Sequence, residues 1–338
     1  MNWTPPEKVL ITGGHEIGGL QAFAEALQEG FAETGIPGEI VRPSSLTKRW
    51  HEIRSDRVLK LLSTSAILAA PVVRRAICVA HSTLSTRDKG WSNSIAKLVS
   101  YRFTNLRSSV PLIAVSHYVS HHLSDVFSVR IDGIVSNPIN SFFLETYSSA
   151  VCERSYVTFV GRLVRCKNVH KLLPFVRDLL SENPELRCCI VGDGPERAAL
   201  EESVQGGGSR IEFTGTRDRS FIREQLRRSK LFISGAANEG LGIAYLEALS
   251  QGCNVAMPAS GGGLEIVLEQ VGRGVHLMPI SLERKATLSV LRTALQTEAA
   301  PFDLQQHTPR AVAHAYLQID RRFSMEPFTS AQTAGAES

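Results

Sequence analysis

The sequence predicts an α/β protein of two doubly wound domains, each a parallel sheet with helices on both faces. At 338 residues the chain is longer than one core of ordinary size requires, so two domains are the starting assumption. Apolar residues make up 43% of the chain and charged residues 21%, close to the norm for soluble globular proteins. Short β-branched runs alternate with longer helical patterns, which is typical of parallel sheets flanked by helices.

The predicted strands form two series along the chain. In the first half, a helix over residues 20–34 follows the first of the strands at 8–12, 39–42, 76–80, 112–115 and 133–135. In the second half, the same rhythm gives strands at 156–160, 187–191, 211–214, 230–234, 254–256 and 274–277. Two Rossmann-like domains follow from this repetition.

A polar segment, residues 136–154, separates the two series and is the predicted linker, with the hinge near residue 145. The domains are then 1–145 and 146–328, and the small polar residues 329–338 form a tail predicted to be disordered. Doubly wound sheets bind ligands beyond the carboxyl ends of their strands. We therefore expect two such domains to face each other across a cleft that holds the site.

Composition also excludes several classes of protein. No apolar run reaches the roughly 18 residues of a membrane span, and the N-terminus lacks a basic region followed by an apolar stretch, so secretion is not expected. The cysteines show no CxxC pair and no zinc-type spacing with histidine, which indicates reduced thiols of a cytosolic protein. They are Cys78, Cys152, Cys166, Cys188, Cys189 and Cys253.

Positive charge is concentrated in one part of the chain. Residues 42–107 contain 13 basic residues against three acidic ones, although the formal charge of the whole chain is only +4. Such a stretch favours an anionic partner.

The most informative stretch is NEGLGIAYLEALSQG, residues 238–252. Glu239 and Glu247 bracket a glycine-rich turn, in which Gly240 and Gly242 let the backbone approach a ligand. A helix beginning near Ile243 directs free N–H groups and the positive end of its dipole at an anion, for which a phosphate is suited. A helix start with an acidic first turn and an exposed glutamate remains the alternative interpretation.

Two further loops follow strands in the second half. In FVGRLVRCKNVHK, residues 159–171, Arg162 and Lys167 lie between strand and helix, where two fixed cations can bind a diphosphate. The alternative interpretation is that both side chains are solvated charges of a surface loop and bind no ligand. The stretch CIVGDGP, residues 189–195, is interpreted as a structural tight turn with Pro195 at the first helical position.

Two weaker signals lie in the first half. ITGGHEIGGLQ, residues 11–21, lacks the GxGxxG spacing of a dinucleotide site, but the amides of Gly18 and Gly19 can approach a phosphate or an acceptor. His81 directly follows a predicted strand, and strand ends face the cleft. A purely structural histidine is the alternative at that position.

Together and in order, these stretches resemble glycosyltransferase family 4, a group of retaining enzymes with the two-domain GT-B fold. The resemblance covers most of the chain, and the last of its stretches is the most specific. The matching stretches are GGLQ at 18–21, VAHS at 79–82, IAVSHYV at 113–119, GRLVRCKN at 161–168, VGDGP at 191–195, FTG at 213–215 and EGLGIAYLEAL at 239–249.

The resemblance implies a role for each candidate residue. Arg162 and Lys167 would contact the donor diphosphate, Glu239 the transferred sugar and Glu247 the nucleotide ribose. Residues 1–145 would be the acceptor side and residues 146–328 the donor side, with His81 near the transferred sugar. The backbone of the donor site would be supplied by Gly18, Gly19, Gly240, Leu241, Gly242 and Ile243.

The implied function is a retaining hexosyltransferase that uses a nucleotide-sugar donor, UDP- or GDP-linked, without a metal or other cofactor. The acceptor would be a glycan or a lipid-linked glycan in bacterial cell-surface polysaccharide or lipopolysaccharide synthesis. The expected location is cytoplasmic, peripheral on the inner face of the cell membrane, where the basic stretch meets an anionic surface; no nucleic-acid partner is expected. The alternatives are a sugar-nucleotide epimerase of GT-B architecture and a non-catalytic carbohydrate-binding protein.

Overall fold

The computed structural model describes residues 3–14, 18–63, 66, 73–84, 86–106, 109–145, 153–205, 210–268, 274–299 and 301–325. The chain divides into two compact units, one of Met1–Asn140 with Gln306–Ser338 and one of Ser141–Gln305. Over the described ranges, each unit contains one six-stranded sheet whose strands all run parallel. This confirms the predicted α/β class with two doubly wound domains.

The first unit is built on a sheet with strand order β2-β1-β3-β4-β5-β6. Its strands are β1 Lys8–Thr12, β2 Gly38–Val41, β3 Val58–Ser63, β4 Ala76–Ala80, β5 Leu112–Ala114 and β6 Gly133–Ile134. Its helices before the second unit are α1 Gly19–Glu33, α2 Trp50–Arg54, α3 Thr86–Asn105 and α4 His117–Phe127. Because β2 and β3 lie on opposite sides of β1, the strand order reverses between β1 and β3.

The second unit has the strand order β12-β11-β10-β7-β8-β9, which reverses between β7 and β10. Its strands are β7 Tyr156–Val160, β8 Arg187–Val191, β9 Ile211–Gly215, β10 Ser229–Ile233, β11 Asn254–Pro258 and β12 Val275–Met278. Its helices are α5 Val169–Glu182, α6 Arg197–Val204, α7 Arg219–Arg227, α8 Ile243–Ser250, α9 Gly263–Leu268 and α10 Arg284–Gln296. Open α/β sheets bind their ligands at such a reversal, beyond the carboxyl ends of the strands.

The core of the second unit lies between its sheet and the helices that cover it. Leu172, Val176 and Leu179 repeat at helical spacing along α5 and are buried in one cluster with Val157 and Ile190 of the sheet. This apolar face fixes the start of α5, and with it the loop that leaves β7.

One strand was not predicted, although each predicted strand is present to within two residues at either end. The missing strand is β3, where Lys60 interrupts the apolar run VLKLLS. The side chain of Lys60 is fully buried, and its amine donates hydrogen bonds to the carbonyls of Ser55 at 2.5 Å and Arg74 at 2.7 Å. Burial lowers the pKa of Lys60 to about 8. A charged residue in a central strand is thus tolerated because backbone carbonyls receive its amine.

The chain returns to the first unit after the second is complete. Helix α11, Pro309–Met325, packs on α1 so closely that a Cβ on Gly30 would lie 2.0 Å from the carbonyl oxygen of Pro309. Asp320 of this helix accepts hydrogen bonds from Arg75 at 2.7 Å and from the Trp3 indole at 2.8 Å. The sequence placed residues up to 328 in the second domain, whereas residues 306–325 belong to the first unit. Contacts so distant along the chain leave no local sequence signal.

The predicted linker over residues 136–154 is packed over much of its described length. Asn137, Ile139 and Asn140 are buried, and the Asn140 amide donates a 2.7 Å hydrogen bond to Glu29 of α1. The division between the units falls at residues 140 and 141, rather than near 145. Phe143, just beyond it, is buried in the second unit, where its carbonyl accepts from Gln251 at 2.8 Å. Residues 146–152 of this segment and the predicted tail lie outside the described residues.

Two further expectations concern reduced cysteines and the lack of a membrane-spanning segment. Four of the described cysteines are buried and Cys166 is half-buried, and none of these five forms a disulfide; Cys152 lies outside the described residues. Burial raises the pKa of Cys78 and of Cys253 to about 12. Over the part of the chain that the structure describes, no helix combines the length and apolarity needed to cross a bilayer.

Candidate active site

The loops that follow β7 and β10 lie side by side, because these strands are hydrogen-bonded neighbours at the point where the second sheet reverses its order. Lys167 stands in the first loop and Glu239 in the second, and their side chains form an ion pair. The exposed fraction of the two side chains is 27% and 26%, so the pair is half-buried and open to a ligand. The structure thus joins two of the predicted site residues.

Asn168 ties the same two loops together and was not singled out from the sequence. Its amide donates a 2.8 Å hydrogen bond to the carbonyl of Gly235, and its backbone is left-handed, with φ of 53°. A Cβ on Gly235 would lie 2.9 Å from the Cβ of Asn168, so the loops are in direct contact. This contact fixes the loop position from which Lys167 reaches Glu239.

Arg162 lies in the same loop as Lys167 but is exposed, and it forms no ion pair with any described residue. Its loop is held on the other side by the loop after β8. The amide of Leu163 donates to the carbonyl of Asp193 at 2.9 Å, and a Cβ on Gly192 would lie 1.9 Å from the carbonyl oxygen of Gly161. The glycines of the VGDGP stretch therefore have a packing role, as the structural interpretation predicts. Its placement of Pro195 at the first helical position is wrong, because α6 begins at Arg197 after the cap Glu196.

The glycine turn ends at Gly242, the N-cap of α8, whose φ of 80° is left-handed. Leu241 is buried, which anchors the turn, and Ile243 begins the helix. Because a glycine cap has no side chain to accept hydrogen bonds, the first N–H groups of α8 stay available to a ligand. Gly240 is buried just before them, between Glu239 and Leu241. The predicted turn and helix start are therefore confirmed.

Glu247 lies within α8, one turn after its start, and is half-buried. Burial raises the pKa of Glu247 to about 7, and the positive charge of Arg219 opposes this only in part. Ionising a buried carboxylate costs free energy unless a hydrogen-bond donor contacts it. Carboxylates with a pKa raised in this way are common in ligand-binding sites.

A second glycine run, residues 260–263, packs against the backbone beside Glu239. The amide of Gly262 donates to the carbonyl of Glu239 at 2.8 Å, and the hydroxyl of Ser260 donates to the carbonyl of Ala237 at 2.7 Å. A Cβ on Gly261 would lie 2.9 Å from the Glu239 carbonyl oxygen. This run was not among the predicted site residues, although three consecutive glycines a few residues after a predicted strand are a usable signal.

The remaining candidate residues belong to the first unit. Gly18 is the N-cap of α1 and Gly19 its first residue, and a Cβ on either would meet no atom within 4 Å. His81 directly follows β4, with its ring 4.6 Å from that of Phe23 in an edge-to-face contact. Burial, and then the charge of Lys97, lower the pKa of His81 to about 4. Its imidazole is therefore neutral near pH 7.

Much of the charge in the basic stretch is neutralised by the fold. Arg49 pairs with Glu39 and Glu52, Arg75 with Asp320, and Lys60 is buried. Arg57 and Arg74 also pair, with Glu7 and Asp56. Several of these acids lie outside residues 42–107, so counting charge along the sequence overstated the positive field of this stretch.

From Ser94 onward, helix α3 has the reverse of the usual distribution of side chains, with polar residues buried and aliphatic residues exposed. Its buried positions include the polar residues Ser94, Ser100, Tyr101 and Thr104. Ile95 and Val99 are 56% and 53% exposed, and Leu106, directly after the end of the helix, is 84% exposed. Their spacings of four and seven residues place them in one apolar stripe. We call these three residues the α3 stripe.

Residues 149–286, most of the second unit, match the model of the family Glycosyl transferases group 1. Among curated proteins, the sulfoquinovosyl transferase SQD2 of Arabidopsis thaliana is 31% identical over 117 residues, which are 35% of this chain and 22% of that protein. A 2-deoxystreptamine N-acetyl-D-glucosaminyltransferase of Niallia circulans is 25% identical over 39% of this chain and 34% of that protein. The matches thus span about a third or less of these relatives.

Solved structures match over almost the whole chain. Anabaena HepE in complex with UDP and glucose superposes with a TM-score of 0.68 at 18% identity, covering 94% of this chain and 98% of that one. WaaG, described as a glycosyltransferase involved in lipopolysaccharide biosynthesis, gives a TM-score of 0.66 at 16% identity, over 94% and 95% of the two chains. The fold is therefore the two-domain α/β fold called GT-B.

Proposed function

We propose that this protein is a glycosyltransferase that moves a sugar from a nucleotide-sugar donor to an acceptor. The observation that carries the proposal is the ion pair of Lys167 and Glu239 beside the glycine turn at the start of α8. It combines a cation, a carboxylate and free helix amides at the ligand-binding edge of a doubly wound sheet. The family match over residues 149–286 covers all of these groups.

The donor is a nucleoside diphosphate sugar, UDP- or GDP-linked. Arg162 and Lys167 neutralise the diphosphate, together with the amides of Leu241, Gly242 and Ile243. Structures of HepE with UDP and with UDP-glucose support a donor of this class, since that protein shares the fold. Glu239 contacts the transferred sugar and Glu247 the ribose hydroxyls, which would compensate for the burial of the Glu247 carboxylate.

The reaction requires charge stabilisation as the sugar leaves the diphosphate. Negative charge grows on the leaving phosphate, and Arg162, Lys167 and the α8 terminus offset it without a metal ion. A neutral His81 would contribute hydrogen bonding near the transferred sugar rather than donate a proton. We propose retention of configuration, as in glycosyltransferase family 4, which product NMR tests directly.

The acceptor is a glycan or a lipid-linked glycan, of the kind used in bacterial cell-surface polysaccharide or lipopolysaccharide synthesis. The similarity to WaaG supports this class of product. We propose that the enzyme works in the cytoplasm and meets its acceptor on the inner face of the cell membrane.

The α3 stripe supports an anionic bilayer as the partner surface. An exposed row of branched aliphatic side chains favours an apolar partner. The sequence of α3 carries Arg87, Lys89, Lys97 and Arg102 against one acid, Asp88, which favours anionic lipid over a second copy of the same basic helix. The proposed membrane-binding surface is therefore helix α3, rather than the whole basic stretch of residues 42–107.

A vesicle experiment tests this surface. Wild-type protein should sediment with vesicles rich in phosphatidylglycerol and much less with phosphatidylcholine, and the binding should weaken with salt. Replacing Ile95 and Val99 by Ser should abolish it. Val126→Ser, which alters an exposed apolar residue on α4, is the control. Equal binding to both vesicles would contradict the proposal.

The alternatives predict different products. An epimerase of the same architecture would change the sugar while it stays attached to the nucleotide, and a non-catalytic protein would bind without turnover. A thermal-shift screen of nucleotide sugars identifies the donor, because a ligand of the folded state alone raises the melting temperature. Release of the free nucleoside diphosphate with that donor supports the transferase. A stabilising donor that is never cleaved would overturn it.

A further inference from the structure

One edge of the Tyr245 ring packs against two glycines that lie far apart in the chain. A Cβ on Gly242 would lie 2.5 Å from two atoms of the Tyr245 ring, and a Cβ on Gly263 would lie 2.6 Å from the same edge. Real Cβ atoms do not come this close to a ring atom. Only glycine at positions 242 and 263 therefore leaves room for the ring. Tyr245 therefore joins the turn before α8 to the glycine run that leads into α9.

The hydroxyl of Tyr245 makes a third connection. It donates a 3.0 Å hydrogen bond to the hydroxyl of Ser234, which directly follows β10. The ring also meets Phe232 of β10 edge-to-face, with centroids 6.0 Å apart. Both Tyr245 and Ser234 are 4% exposed. The first turn of α8 is thus anchored to the strand that leads into the site.

Both loops that the ring touches also carry groups of the candidate site. Gly242 precedes the free amides of α8, while the run that ends at Gly263 holds the carbonyl of Glu239 through Gly262. Burial and the nearby carboxylate of Glu239 both raise the pKa of Tyr245. The phenol thus stays protonated and keeps its hydrogen bond at every working pH.

We infer that Tyr245 is a positioning residue that fixes the turn of residues 240–243 and the glycine run of residues 260–263 as one rigid wall beside Glu239. This inference rests on the proposed function. The ring does not touch the donor. It holds the amides of Leu241, Gly242 and Ile243 at the spacing that the diphosphate requires, so that no reorganisation is needed as charge develops.

Three variants of Tyr245 test the inference. Tyr245→Phe removes only the hydroxyl and should lower kcat by less than about 10-fold. Tyr245→Leu removes the ring that contacts both glycines and should lower kcat by about 10²-fold, the scale of a 1 Å misplacement. Donor KM should change by less than about threefold in both, because Glu247 and the loop cations remain. Tyr245→Trp, too large for the space, should resemble Tyr245→Leu.

Hydrogen exchange gives a readout that does not depend on activity. In Tyr245→Leu, peptides over residues 238–244 and 259–264 should exchange at least about 10-fold faster than in wild type, with no change in α5. Phe175→Leu, which alters a buried aromatic of α5, is the control. It should lower the melting temperature, but it should leave exchange in both glycine segments and kcat unchanged.

The outcomes separate the two proposals. If wild type neither binds nor cleaves any nucleotide sugar, the proposed function fails, and exchange alone still tests whether Tyr245 fixes the wall. If wild type is active and Tyr245→Leu keeps normal kcat, or exchanges normally in both segments, the inference is wrong. A loss of kcat in Phe175→Leu equal to that in Tyr245→Leu would also overturn it, because the effect would then be general destabilisation.

Discussion

The ammonium group of Lys167 and the carboxylate of Glu239 form an ion pair although they stand 72 positions apart in the chain. Each is held by its own loop, and the two loops meet through Asn168 and Gly235. In the protein alone, each side chain thus neutralises the other. In the proposed reaction, the diphosphate takes over the cation and a sugar hydroxyl takes over the carboxylate.

The two loop cations should both be needed for turnover. Lys167→Ala and Arg162→Ala should each lower kcat by about 10²- to 10³-fold, the scale for losing one preorganised charge-stabilising group. Steady-state kinetics with the identified donor measures this. Lys171→Ala removes an exposed cation four residues further on and is the matched control. Near-normal rates in both loop variants would contradict the assignment.

Substitutions of the two glutamates should have different kinetic effects. Glu247, if it holds the ribose, makes contacts that are equal in the ground and transition states, so Glu247→Ala should raise donor KM about 10-fold or more with a smaller change in kcat. Glu239→Gln keeps the shape but loses the charge beside the reacting sugar, so it should lower kcat and leave nucleotide affinity nearly intact. Calorimetry and kinetics on both variants test this, and the reverse pattern would mean that the roles are exchanged.

Donor affinity should depend on pH through Glu247. Its pKa is raised to about 7 and its ionised form is the better acceptor for ribose hydroxyls, so affinity should fall as the pH drops through 7. At pH 6 we expect binding about 10-fold weaker than at pH 8, because the ionised fraction of a group with a pKa of about 7 falls about 10-fold between these two values. The affinity of Glu247→Gln should be flat over this range. A wild-type profile that is equally flat would contradict the assignment.

The same raised pKa makes a prediction about stability. Because the folded pKa of about 7 lies above the usual value of 4.5, the folded state binds more protons between these values, and the free energy of unfolding falls as the pH rises between them. Glu247→Gln should therefore melt at a higher temperature than wild type at pH 8, by about 2–4 °C for each kcal/mol recovered. The gap should close below pH 5. A constant gap across pH would show that the carboxylate charge is not its cause.

Helix α11 should stabilise the first unit through a buried charge. Asp320→Ala leaves Arg75, whose side chain is 9% exposed, without its carboxylate, and should cost about 3–5 kcal/mol of unfolding free energy. Denaturant unfolding measures it. Glu7→Gln breaks the exposed pair with Arg57 and should cost less than about 1 kcal/mol. A small effect at Asp320 would mean that α11 is only loosely held.

Local sequence patterns were sufficient to predict most of the strands. They did not predict the elements whose position depends on contacts between residues far apart in the chain. Apolar β-branched runs located eleven strands, but Lys60 concealed β3, because only the fold shows that carbonyls of Ser55 and Arg74 receive its amine. The return of α11 to the first unit depends on residues more than 200 positions away, such as Asp320 with Arg75. No local pattern encodes such a pairing.

The same distinction applies to the candidate site: local features were predicted, and contacts between loops were not. The glycine turn and Glu239 were predicted from one short stretch, because helix starts and glycine spacing are local features. Asn168 and Tyr245 were missed, since each matters through a contact with another loop. The roles proposed for Arg162, Lys167 and Glu247 toward a donor stay predictions, which the variants above test.

The return of α11 also bears on how the protein is made. During synthesis the second unit leaves the ribosome as one unbroken segment and can fold as soon as it emerges. The first unit begins earlier, yet the face of α1 around Gly30 stays uncovered until Pro309 and the residues after it are translated. A chain released before that point would expose this apolar face to chaperones and proteases.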